Sequence, residues 1–186
     1  IASHAAFPWL PLYYLSVVMG GLLLLGMGLP QLAGVSWILL LVWLGLILAA
    51  DAAPVDLPGG GFITVSSTLD LAGILILGPI PTALAEFAAT LFLQGGLQRR
   101  PLHKVLFNAS AVAGTVVAAG AVFQAAGGVP GQGLVFPGSL VPLVAAGIVY
   151  YALNTSLVSA IISLSEGHGM WRVWQVNYLW TLFHMV

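Results

Sequence analysis

The sequence predicts an all-α membrane protein, a bundle of about six transmembrane helices with one Pro/Gly-rich connector at the membrane interface. Hydrophobic residues make up 60% of the 186 residues, and the mean hydropathy is +1.08. The chain has four Lys or Arg and five Asp or Glu. In a soluble domain about a quarter of the residues are charged, because charge covers the surface that faces water. Hydrocarbon is therefore the expected solvent around these helices.

The apolar runs predict a single transmembrane domain over residues 1–186. Each span takes about 20 residues, and Pro, which cannot continue a helix, marks several of the boundaries. The predicted spans are 9–29, 32–50, 63–77, 81–97, 102–126 and 140–164. Residues 171–186 are rich in Trp and are expected to form an interfacial helix or to begin a further segment.

The connector between the second and third spans has the strongest turn signals in the chain. Pro54, Pro58 and the three glycines at 59–61 oppose helix formation, and the β-prone run 62–67 follows them. The expected structure is an extended interfacial segment or an ordered turn.

The four basic residues predict the orientation of the bundle. Arg99, Arg100 and Lys104 lie between the fourth and fifth spans, and Arg172 follows the sixth. With six spans both places are on one side, which the positive-inside rule assigns to the cytoplasm. The sequence thus predicts a multi-pass protein of the bacterial cytoplasmic (inner) membrane with both termini in the cytoplasm. A seventh span would move only the C-terminus to the other side.

Several function classes are disfavoured by composition. The net charge of −1 and the absence of a clustered basic face argue against a nucleic-acid partner. The chain has no Cys, and its four His are scattered without an i, i+4 pair, so no metal site is expected. No Ser-His-Asp arrangement or phosphate loop occurs, so we expect no enzyme activity and no cofactor in this chain. The start at Ile1 and the apolar end at Val186 predict a fragment of a longer protein.

Two carboxylates lie inside predicted spans, where an ionisable group is costly and often functional. Asp70 is eight residues before the turn at Gly78, and Glu86 is five residues after Pro81. At 1.5 Å per residue these depths are about 12 and 8 Å, so neighbouring spans can bring the two side chains together. One interpretation is a proton- or cation-responsive pair, or the polar floor of a ligand pocket. The other is a carboxyl group that bonds to the backbone or to an amide and holds the helices in register.

Two amides in predicted spans complete the candidate site. Asn108 lies on the fifth span, and Asn154 lies on the sixth beside Thr155 and Ser156. Such groups usually hydrogen-bond across helices, with energies of about 1 kcal/mol in membranes. We expect Asn108 and Asn154 either to hold helices together or to line a ligand pocket with the two acids.

Short motifs follow one another along the chain in a fixed order. They are Pro54-Val-Asp-Leu-Pro58-Gly-Gly-Gly61, Leu77-Gly78-Pro79, Arg99-Arg100-Pro101-Leu-His-Lys104, Phe107-Asn108, Val149-Tyr150-Tyr151-Ala-Leu-Asn154-Thr155 and Glu166-Gly167. This order, over about residues 40–180, resembles the N-terminal membrane domain that bacteria place ahead of cytoplasmic HD-GYP, GGDEF or histidine-kinase modules. The Leu-Gly-Pro turn before a small-residue helix is also similar to substrate-binding subunits of energy-coupling-factor vitamin transporters.

The first resemblance implies a sensory or anchoring domain that couples a membrane signal to a cytoplasmic effector. The motifs of the output modules are not in this sequence, so their activity would lie elsewhere. Two alternatives stay open: an accessory or scaffold subunit of a respiratory or photosynthetic complex, and a subunit that captures a vitamin-type substrate. Expected partners are the lipid bilayer and either other membrane subunits or a second copy in a homodimer.

Overall fold

A computed structural model describes residues 8–53, 55–56, 62–63 and 66–184. This part of the chain contains seven α-helices and two strands of two residues each. The helices are α1 (Leu10–Gly28), α2 (Trp37–Asp51), α3 (Ser66–Ile76), α4 (Pro79–Thr90), α5 (Leu102–Ala125), α6 (Leu140–Glu166) and α7 (Met170–His184), and the strands are β1 (Val55–Asp56) and β2 (Phe62–Ile63).

Four helical segments are long and apolar enough to cross a membrane. They are Leu10–Gly34, Pro79–Leu97, Leu102–Ala125 and Leu140–Glu166. The helices α2 and α3 have 15 and 11 residues, which correspond to about 22 and 16 Å and fall short of a hydrocarbon core of about 30 Å. The all-helical membrane fold is thus confirmed, and the number of six spans stays a prediction.

Proline and glycine set the helix boundaries. A 3₁₀ turn that contains Pro30 extends α1 to Gly34. Gly78 separates α3 from α4 with φ +93, a left-handed conformation that side chains disfavour. Pro79 follows directly as the first residue of α4, where its missing N–H costs no helical hydrogen bond.

A π-helical segment, Leu91–Leu97, continues α4 toward the basic loop. It contains Gly95 and Gly96, and the N–H of Gln98 donates to the carbonyl of Leu93 across five residues. Segments of this kind are uncommon and locally widen a helix.

The connector after α2 contains the antiparallel pair β1 and β2, with Val55 opposite Ile63. The glycines at 59–61, on which part of the turn prediction depends, lie outside the described residues.

Helix α5 is the centre of the bundle and packs against α1, α4 and α6. Small residues permit this close packing. A Cβ on Gly120 would meet the ring of Pro79 at the start of α4, and one on Gly21 of α1 would meet the backbone of Ser110. Helix α2 packs on α4, and α7 packs on α6.

The outer surface of the bundle is apolar. On α2 the side chain of Ile38 is 77% exposed, and on α6 that of Val141 is 73% exposed. Exposure of this kind is unfavourable in water and favourable in hydrocarbon. The acidic side chains discussed next, Asp70 and Glu86, lie on the inside of this apolar shell.

Candidate functional site: a buried carboxyl pair

Asp70 and Glu86 come together where α3 and α4 pack. They are 0% and 3% exposed, and each carboxyl group lies within electrostatic range of the other. The turn at Gly78 connects α3 to α4, and the two helices, which carry acids 16 residues apart in sequence, pack against each other. The structure therefore unites the two carboxylates that the sequence singled out.

The remaining polar contacts of the pair come from α4 and α6. The phenol of Tyr150 donates a hydrogen bond of 2.6 Å to Oδ2 of Asp70. The hydroxyl of Thr90, one turn after Glu86, donates to Oε1 of Glu86 at 3.5 Å, which is at the long limit for such a bond. One oxygen of each carboxyl group thus has a donor from a neighbouring side chain.

The other oxygen of each group has no such donor. Oδ1 of Asp70 and Oε2 of Glu86 are buried without a hydrogen-bond partner among the described residues. The other ionisable side chains that act on the pair are Tyr150 and Asp51 at the end of α2. Neither is a cation, so no positive side chain in the described part of the chain compensates the pair.

Trp43 of α2 also has an unpaired polar atom, and this atom lies beside α3. Its ring nitrogen Nε1 is buried without a partner among the described residues, and it would meet a Cβ placed on Gly73.

Asn108 and Asn154 do not join the pair. The amide of Asn108 donates to Oε1 of Gln94 in the π segment at 2.8 Å, which connects α5 to the end of α4. Asn154 is half-buried on α6, one turn after Tyr150. Among the described residues no hydrogen bond connects either amide to a carboxyl group of the pair.

The basic residues lie at one end of the bundle. Arg99, which is exposed and has φ 50, precedes the start of α5 together with Arg100, and Lys104 lies in the first turn of that helix. Arg172 is exposed in the first turn of α7. The start of α5 and the end of α6 share this end, because the two helices are antiparallel and pack side by side.

Helix α7 is attached to α6 by two polar contacts close to Tyr150. The hydroxyl of Tyr151 donates to the carbonyl of Tyr178 at 2.8 Å, and Nε1 of Trp174 donates to the hydroxyl of Thr155 at 3.0 Å. A continuous series of contacts therefore leads from the carboxyl pair through α6 to α7.

The sequence does not identify Tyr150 as a member of the site, and Tyr150 appears there only within the motif at 149–155. The available signal for Tyr150 was a phenol in the middle of a long apolar helix, since a hydroxyl at that depth needs a polar partner.

Fold and site together define a helical membrane protein with an acidic pair inside its bundle. Comparisons with protein-family models, with curated proteins and with solved structures find no match to this chain.

Proposed function

We propose that this chain is a membrane sensory and anchoring domain, in which the state of the Asp70–Glu86 pair controls the position of α7. In this proposal α7 carries the response to a cytoplasmic effector. The observation on which it depends most is the bond from Tyr150 to Asp70, because Tyr150 is part of α6, the helix that also holds α7.

The energetics favour coupling along this path. A carboxylate oxygen in a low-dielectric interior that loses its hydrogen bond is destabilised by about 1–3 kcal/mol or more. A change at the pair therefore changes the preferred position of Tyr150. A signal shifts such an equilibrium only by its differential affinity for the two arrangements, and a buried acidic pair is a place where that difference is large.

The two alternatives find less support in the described residues. Substrate capture was based on a pocket formed by Asp70, Glu86, Asn108 and Asn154, and only the two acids meet. A cleft of about 360 Å³ lies between α1, α5 and α6, and neither acid lines it. A scaffold subunit gives no reason for an uncompensated acidic pair inside the bundle.

The proposal is tested by the distance between α7 and the start of α5. The chain has no Cys, so spin labels at Leu102→Cys and Gln175→Cys, two exposed positions, report this distance without background. In lipid nanodiscs we expect the distance distribution to differ between the parent chain and Asp70→Asn/Glu86→Gln. The same distribution in both would contradict the proposal.

Thr82→Val is the matched control for this experiment. Thr82 is fully buried on α4 one turn before Glu86, and its hydroxyl donates to the carbonyl of Gly78. The substitution removes a buried polar group next to the pair and leaves the hydrogen bond between Tyr150 and Asp70 in place. The distance between the two spin labels should therefore stay at the parent value.

A further inference from the structure

We infer that the ligand of the Asp70–Glu86 pair is a single proton, shared between Oδ1 of Asp70 and Oε2 of Glu86. This inference rests on the proposed function and specifies the chemical signal that the domain receives. These two oxygens are buried and lack a hydrogen-bond partner in the described part of the chain.

An ionised carboxylate has only acceptor sites, so neither acid can supply a donor to the other while both are ionised. A hydrogen bond between them needs one hydrogen atom, which one carboxyl group then donates and the other accepts. Asp70 already accepts a hydrogen bond from Tyr150, and Glu86 accepts one from Thr90. One proton between the two remaining oxygens therefore gives each of them a hydrogen-bond partner.

Two negative charges close together inside a protein are strongly unfavourable, and burial adds a cost for each. The side chains that act on the pair are Tyr150 from α6, Thr90 from α4 and Asp51 from α2. None of them is a cation. One proton halves the charge of the pair, and the two groups then titrate as a unit.

A proton fits the pair better than a metal cation does. A bound cation of the alkali or alkaline-earth type needs about six oxygen ligands and the space to hold it. In the described residues no cluster of three acidic, His or Cys side chains is placed to hold a metal ion. A proton needs neither the ligands nor the space.

Loss of the shared proton acts on α6. When the shared proton leaves, the two carboxylates repel each other, and the bond of Tyr150 to Asp70 is the contact through which that repulsion reaches α6. Rising pH on the side that supplies the proton would be the stimulus.

Infrared spectroscopy of the whole chain in lipid nanodiscs tests the shared proton directly. We expect a C=O stretching band of a protonated carboxyl group at neutral pH that shifts on exchange into deuterium oxide. The band should be lost in Asp70→Asn and in Glu86→Gln. In each variant the N–H of the new amide donates to the remaining carboxylate, which then needs no proton of its own. Asp51→Asn is the control and should keep the band.

Tyr150→Phe extends the test to a variant that keeps both acids. It removes the donor to Oδ2 of Asp70, so the band should persist at a shifted frequency. The inference is overturned if the parent chain has no such band, or if the band survives in Asp70→Asn and Glu86→Gln. It is also overturned if replacing sodium by a bulky organic cation changes the band in the same way as a change of pH does.

Failure of the two proposals can be distinguished. A protonated pair with an unchanged position of α7 in Asp70→Asn/Glu86→Gln would contradict the sensory function and leave the shared proton intact. A moving α7 without the infrared band would contradict the shared proton alone.

Discussion

The hydroxyl of Tyr150 on α6 donates a hydrogen bond of 2.6 Å to Asp70 on α3, across 80 positions of sequence. Both residues are buried, and Asp70 also meets Glu86 of α4. Three helices therefore meet at one polar point inside an apolar bundle. Polar contacts of this kind fix the positions of helices more strongly in hydrocarbon than in water, because no solvent is available to replace a lost hydrogen-bond partner.

Replacing Tyr150 by Phe should destabilise the bundle. The substitution leaves Oδ2 of Asp70 buried without its donor, which costs about 1–3 kcal/mol. The free energy of unfolding, measured by denaturant titration in bicelles, should fall by this amount. Tyr14→Phe is the control: the ring of Tyr14 stacks on Phe107 at 6.2 Å, and Phe keeps that contact, so stability should change little. Equal losses in both variants would contradict this role of Tyr150.

Replacing Trp174 by Phe should loosen α7. The indole N–H donates to Thr155 of α6, and hydrogen bonds between helices in membranes average about 0.6 kcal/mol. A spin label at Gln175→Cys should become more mobile. Trp171→Phe is the comparison, because Trp171 is 67% exposed and stacks on Trp174 at 5.3 Å, a contact that Phe preserves. Equal mobility in the two variants would show that the bond to Thr155 does not hold α7.

The contact between α1 and α5 should tolerate Ala at Gly20 and not at Gly21. A Cβ on Gly21 would meet the carbonyl group of Ser110, whereas nothing lies within 4 Å of one on Gly20. Forcing an atom into a packed interior costs about 1–3 kcal/mol. Unfolding in bicelles should therefore detect a loss for Gly21→Ala, and Gly20→Ala should match the parent chain or exceed it. The reverse order would mean that α1 packs on α5 in another register.

The orientation of the bundle can be measured with two matched positions. Gln98 next to Arg99 and Gln132 in the loop between α5 and α6 are both exposed, and the positive-inside rule assigns Gln98 to the cytoplasm. In intact bacterial spheroplasts a membrane-impermeant maleimide should modify Gln132→Cys and spare Gln98→Cys until the membrane is opened. Modification in the opposite order would invert the predicted topology.

The sequence predicts the helices of this fold better than their tertiary contacts. Pro30, Gly78 and Pro101 flank helix ends for local reasons that are visible in the sequence. The π segment was not predicted, because Gly95 and Gly96 show only that a helix is weak there.

The sequence also predicts part of the site, namely the part that depends on local structure. Asp70 and Glu86 can be recognised in the sequence because an acid in an apolar span is rare. Their proximity follows from local structure, since only the turn at Gly78 separates the two helices that carry them. Tyr150 is 80 positions from Asp70, and its role depends on how α6 packs against α3. The separate positions of Asn108 and Asn154 likewise depend on helix rotations that spacing alone does not determine.

The position of α7 as a function of pH tests the central claim most directly. With spin labels at Leu102→Cys and Gln175→Cys in nanodiscs, raising the pH should shift the distance distribution of the parent chain from one population to another. The shift should be absent in Asp70→Asn/Glu86→Gln, which has no proton to lose, and in Tyr150→Phe, which lacks the contact to α6. A distribution that is constant with pH in the parent chain, or a shift that persists in the double variant, would contradict the account.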